Sequence, residues 1–64
     1  MSEWFNGLKQ CEQIIKSYES VKEGCIAAHN YFVRELSDVD SYDFMNGWYD
    51  CIDHYKVVEN EQIL

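Results

Sequence analysis

The sequence predicts an all-α fold, and three observations carry the prediction. Apolar residues recur at helical spacing through most of the chain. Proline is absent, and only three glycines occur in 64 residues, as helices require. The one cluster of residues that bond their own backbone, Ser37-Asp38-Val39-Asp40-Ser41, falls between two amphipathic stretches.

Ser2 is placed to cap a first helix, with Glu3 near the positive end of its dipole. At about 100° per residue, Trp4, Leu8, Cys11, Ile14, Ile15, Tyr18, Val21, Cys25, Ile26, Ala28, His29, Phe32, Val33 and Leu36 fall on one face. That face is about 160° wide and keeps its phase for about nine turns. Glu12 and Lys16 add a supportive pair on the outer side. The pattern favours one helix over about 3–36.

A three-helix bundle with a break near 19–20 is the alternative, because Ser20-Val21-Lys22-Glu23 fits a capping box. Gly24 costs about 1 kcal/mol inside a helix, but falls off the apolar face, where a missing side chain harms no packing.

Ser41 can cap the last helix, with Asp43 in its first turn. Phe44, Met45, Trp48, Cys51, Ile52, Tyr55 and Val58 share one face, so a helix over about 42–58 folds back antiparallel on the first. Turning around Val39 brings residue 25 level with residue 53. The tail 59–64 lacks periodicity and is expected to fray. Residues 1–64 thus form a single helical domain.

A weak internal repeat appears at an offset of 40 residues. Phe5-Asn6-Gly7, Cys11, Lys16 and Glu19 match Met45-Asn46-Gly47, Cys51, Lys56 and Glu59. Chance similarity between amphipathic helices is the simpler account. Duplication, with each glycine allowing a close helix crossing, is the other.

A hairpin of unequal arms leaves Trp4, Leu8, Cys11, Ile15 and Tyr18 uncovered. At about 25 cal/mol per Å² that patch is too large for a stable monomer. These five residues are therefore the expected self-association face of a homodimer. In the three-helix alternative the chain is a compact monomer.

Composition narrows function. The chain is 47% hydrophobic with a net charge of −7, too apolar for disorder and without the basic patch that nucleic acid requires. Neither direct nucleic-acid binding nor attachment to anionic membranes is expected, and no apolar run is long enough for a span. The N-terminus lacks the features of a signal peptide, which points to the cytoplasm. Three cysteines do not make a disulfide framework.

Cys25 and His29, four residues apart, and Cys51 and His54, three apart, are the one candidate metal set, suited in type to tetrahedral zinc. Cysteines on core faces more often behave as small hydrophobes, so no cofactor is expected. Cys51 with His54 lacks a glycine-rich turn or oxyanion pocket. Asp50, Asp53 and His54 read as a solvated face. The chain is expected not to be an enzyme.

From Glu35 to Tyr55 there are six acids and no Lys or Arg. A solvated acidic surface would account for this. The functional reading is a carboxylate array, Asp43, Asp50 and Asp53 with Asn46, edged by Tyr42 and Tyr49. Such an array docks on a basic protein groove of the kind that binds nucleic acid. In kind, a small proline-free acidic helical chain looks like the inhibitors that phages and mobile elements make against host enzymes. That likeness implies a regulator acting by occlusion in the host cytoplasm. A self-associating adaptor and a zinc-stabilised domain are the rival readings.

Overall fold

In the computed structural model, which describes residues 2–63 and the side chains of residues 2–57, three helices follow one another. They are α1 (Glu3–Lys16), α2 (Val21–Glu35) and α3 (Tyr42–Ile63). The Ser2 hydroxyl accepts from the Phe5 amide at 3.1 Å and starts α1. Ser41 accepts from the Phe44 amide at 3.1 Å and starts α3. Both caps stand where the sequence places them.

The continuous 3–36 helix does not form; the three-helix alternative does. The Ser17 hydroxyl donates to the Ile14 carbonyl at 2.6 Å, and the Tyr18 amide bonds Ile15 O at 3.3 Å, which tightens the last turn. Ser20 then adopts an extended backbone and its hydroxyl caps the Glu23 amide at 3.3 Å. The break loses a few helical hydrogen bonds, each worth about 1 kcal/mol net and partly replaced by the caps. It allows α3 to cover α1, which buries Cys11 and Ile15. One buried isoleucine contributes about 1.5–3 kcal/mol, so burial decides the outcome.

The same event removes the reason for expecting a dimer through Trp4–Tyr18. Cys11 and Ile15 are in the core of their own chain and Leu8 packs against it. Only Trp4 and Tyr18 keep substantial exposure. The phase of the long stripe also misleads in α2, whose buried residues are Gly24, Cys25, Ala28 and Phe32. Ile26, His29 and Val33 are exposed. A 160° stripe is wider than the face a helix in a three-membered bundle has covered.

Contacts fix the directions of the helices. α2 and α3 are antiparallel: Cys25 Sγ approaches Ile52 O, Trp48 reaches Ala28 and Tyr49 reaches His29. The expected hairpin register of 25 against 53 is right to one residue. α1 and α3 run the same way, since Trp4 meets Asp50 and Glu12 meets Tyr55. Their crossing is the tightest in the molecule. A Cβ on Gly7 would lie 3.0 Å from the Phe44 carbonyl carbon and still nearer its oxygen, and one on Gly47 would lie 2.8 Å from that of Trp4. Phe44 and Trp4 are themselves 40 residues apart, so the two repeats grip each other reciprocally at equivalent positions.

Gly24 corrects another expectation. It is buried, and a Cβ there would stand 2.6 Å from Ile15 O. Its place off the stripe is the place where α2 touches the backbone of α1. Helix α3 continues to Ile63, beyond the expected end at 58 and through most of the stretch expected to fray. The side chain of Val58 lies outside the described residues.

Trp48 is the centre of the core, fully buried, with its indole N–H donating to Ala28 O at 3.1 Å. Phe44 and Tyr31 stack on it, and Phe32 is tilted against it, all with centroids within 6.0 Å. No described helix is long and apolar enough to cross a membrane.

Candidate functional site

The outward strip of α3 follows from its packing. Phe44, Gly47, Trp48, Cys51 and Ile52 turn inward, which leaves Tyr42, Asp43, Asn46, Asp50 and Asp53 on the opposite side, all exposed. Asp43 and Asp50 are separated by about 10 Å along the axis at 1.5 Å per residue, as are Asn46 and Asp53. No lysine or arginine lies between residues 35 and 55 of the sequence.

The six residues singled out in sequence are not equivalent. Tyr42 is 78% exposed and stands at the N-terminal end of the strip. Tyr49 is half-buried: its ring meets Phe32 edge-on at 5.3 Å, and its hydroxyl lies 3.4 Å from His29 Nδ1. It is part of the α2–α3 seam and not a free anchor. Asp50 accepts from the Trp4 indole N–H at 2.8 Å, so this carboxylate also ties α1 to α3. Asp43 and Asn46 remain exposed on the strip. Asp53 borders a shallow cleft shared with His29, Tyr49, Lys22 and Lys56.

Trp4 is the residue that sequence reasoning assigned elsewhere. Placed on the self-association stripe, it instead flanks the acidic strip on the α1 side, half-exposed and joined to Asp50. The repeat carries the signal, because Trp4 matches Phe44 and Gly47 sits one turn before Asp50 on the helix that Trp4 crosses.

The four candidate metal ligands are not gathered. Cys25 faces the Ile52 carbonyl, and Cys51 is buried beside Cys11. His29 and His54 are exposed, on Tyr49 and Tyr55 respectively. Among the described residues no three His, Cys, Asp or Glu side chains are grouped to hold a metal ion. Each cysteine is buried in the core, whereas the histidine one turn on from it stays exposed.

Burial, and then the neighbouring Cys51, push the Cys11 thiol well above its ordinary value of 9.0. Burial also raises Cys51, partly offset by its hydrogen bond with Cys11. Burial and the Glu12 carboxylate raise the Tyr55 hydroxyl, which donates to Glu12 at 3.3 Å. Such thiols are neutral core groups and not activated nucleophiles. The linkage to stability has a definite sign. In the unfolded chain the thiols ionise near 9, whereas in the fold they resist, so stability is complete below about pH 8 and falls as pH rises beyond 9. A lower urea midpoint at pH 10 than at pH 7.5 is the expected result, with most of the difference lost in a Cys11→Ala/Cys51→Ala chain. An unchanged midpoint would place the thiols in water.

The α3 strip presents three carboxylates and an amide along one helix, with one exposed tyrosine at its end and a half-exposed tryptophan at its flank. No family model, curated protein or solved structure matches the chain.

Proposed function

We propose that the chain is a non-catalytic protein-binding module, an inhibitor or regulator that occludes a basic, nucleic-acid-binding surface of a partner protein. The observation that carries this reading is the strip Tyr42, Asp43, Asn46, Asp50 and Asp53, exposed along one side of α3, with Trp4 of α1 at Asp50 and the α2 cleft at Asp53 as its borders. Carboxylates spaced along a helix raise the encounter rate with a basic groove and set its register. Tyr42 supplies an aromatic anchor of the kind that carries binding energy at interface centres. The bond from Trp4 fixes Asp50 before binding, which reduces the ordering cost of association.

The test begins with proteins captured by the immobilised chain, each then purified and titrated. Asp43→Lys/Asp53→Lys is the informative variant, because neither side chain is in the core. Affinity is expected to fall at least about tenfold, with unchanged far-UV circular dichroism. Wild-type affinity should weaken as salt rises, and the partner's own nucleic acid should compete. A partner that binds the double variant as well as the wild type would reduce the strip to a solubilising surface.

A further inference from the structure

The outer face of α2 carries a symmetry that the bundle does not use. Glu23, Ile26, Ala27, Asn30, Tyr31 and Arg34 line an open groove of about 590 Å³, closed on one side by Ile14 and Tyr18 of α1. Ile26, Tyr31 and Tyr18 are each about half-exposed there, an apolar surface bounded by an acid at one end and a base at the other. Arg34 forms no ion pair among the described residues, where the one salt bridge is Lys16–Glu12.

The spacing is its own complement. Reversed about a point between Ala28 and His29, Glu23 falls opposite Arg34, Ile26 opposite Tyr31, and Ala27 opposite Asn30. A two-fold axis perpendicular to the helix makes that reversal. We infer that this face is an isologous dimer interface, in which α2 of one copy packs antiparallel on α2 of a second copy with two Glu23–Arg34 pairs across it.

Charge complementarity selects this occupant. An acidic or a basic partner would satisfy one end of the groove and oppose the other, whereas a second copy satisfies both ends at once. Small Ala27 and Asn30 lie nearest the axis, where two helix backbones must approach closely. The two charge pairs stand about 16 Å apart, the rise of eleven residues, and bracket the apolar contacts. A net charge of −7 per chain opposes association at long range, but at 0.15 M salt that repulsion is screened beyond about 8 Å. The face is separate from the acidic strip of α3, so this inference does not depend on the proposed function.

Sedimentation equilibrium of the full chain at 0.15 M salt, from micromolar to millimolar concentration, is the test. The expected species is a dimer of twice the 7.6 kDa chain mass. Glu23→Arg or Arg34→Glu alone places like charges at both ends and should raise the dimer Kd at least about tenfold. The swap Glu23→Arg/Arg34→Glu should restore it to within about threefold, because opposite charges again meet. Glu23 stands in the first turn of α2, so Ile26→Lys is the control for folding. Ile26 is 53% exposed, and this variant should dissociate the dimer with helix content intact. A wild type that is monomeric throughout would overturn the inference. So would a dimer indifferent to Ile26→Lys, or a charge swap that fails to recover what the single reversals lose.

Discussion

Gly47→Ala is expected to destabilise the protein by about 1–3 kcal/mol, the range of overpacked contacts. Glycine to alanine inside an exposed helix normally stabilises it by about 1 kcal/mol, so the prediction concerns sign as well as size. The added methyl would meet Trp4 O, Trp4 C at 2.8 Å and Leu8 N at 3.1 Å. All three atoms are backbone, and no side chain can rotate away. Helix α1 would have to move outward as a unit, opening the contact that buries Cys11 and Ile15. Gly7→Ala meets Phe44 backbone in the same way. Because both substitutions open one crossing, the double variant should lose clearly less than the sum of the two. Urea denaturation followed by circular dichroism measures all three. A stabilised Gly47→Ala chain would mean that α1 and α3 are not in backbone contact.

Trp48→Ala is expected to cost about 3–5 kcal/mol, as for other large aromatic truncations in cores. A domain of 64 residues has total stability of about 3–10 kcal/mol at 0.05–0.15 kcal/mol per residue. One substitution thus removes much or all of it. The loss has three parts: the buried ring, its stacking with Phe44 and Tyr31, and the indole bond to Ala28 O. Trp48→Phe retains most of the ring volume without the N–H and should cost roughly 1–2 kcal/mol. A Trp48→Ala chain with a wild-type melting temperature would remove Trp48 from the centre of the core.

Much of this fold is legible from local chemistry. Ser2, Ser20 and Ser41 each cap the helix that the sequence allows them to cap, and the chain turns at the connector 37–41, where the Val39 amide bonds Leu36 O. The register of α2 on α3 follows from chain geometry alone, which is why residue 25 was placed within one residue of its neighbour. The break at 17–20 was harder to read because the two readings differ locally by only a few kcal/mol. What separates them is the covering of α1 by α3, a contact between residues about 40 apart that no local pattern reports. Gly24 shows the same limit, since a glycine off the stripe looks idle until the helix it touches is known.

For the candidate site, exposure of Asp43, Asn46 and Asp53 follows directly from helical phase. The roles of Tyr49 and Asp50 do not. Phase places both at the edge of the strip, but only the partner helix determines that His29 meets one and Trp4 the other. The surroundings of Trp4 were illegible for the same reason: its neighbours on α1 are covered by a helix that the two-helix reading places elsewhere.

The parallel pairing of α1 with α3 has a consequence for the order of events on the ribosome. A chain made from its N-terminus produces α1 first, then α2, and α3 only afterwards. The partner that covers Leu8, Cys11 and Ile15 is therefore the last to emerge. At about 5–20 residues per second, the interval between Trp4 and Trp48 amounts to several seconds. During that time α1 can meet only α2, a limited contact built around Gly24 and Ile15. Closing a loop of this length costs only slightly more than closing a shorter one, so docking is rapid once α3 is free. Until α3 docks, the nascent helix displays its apolar side.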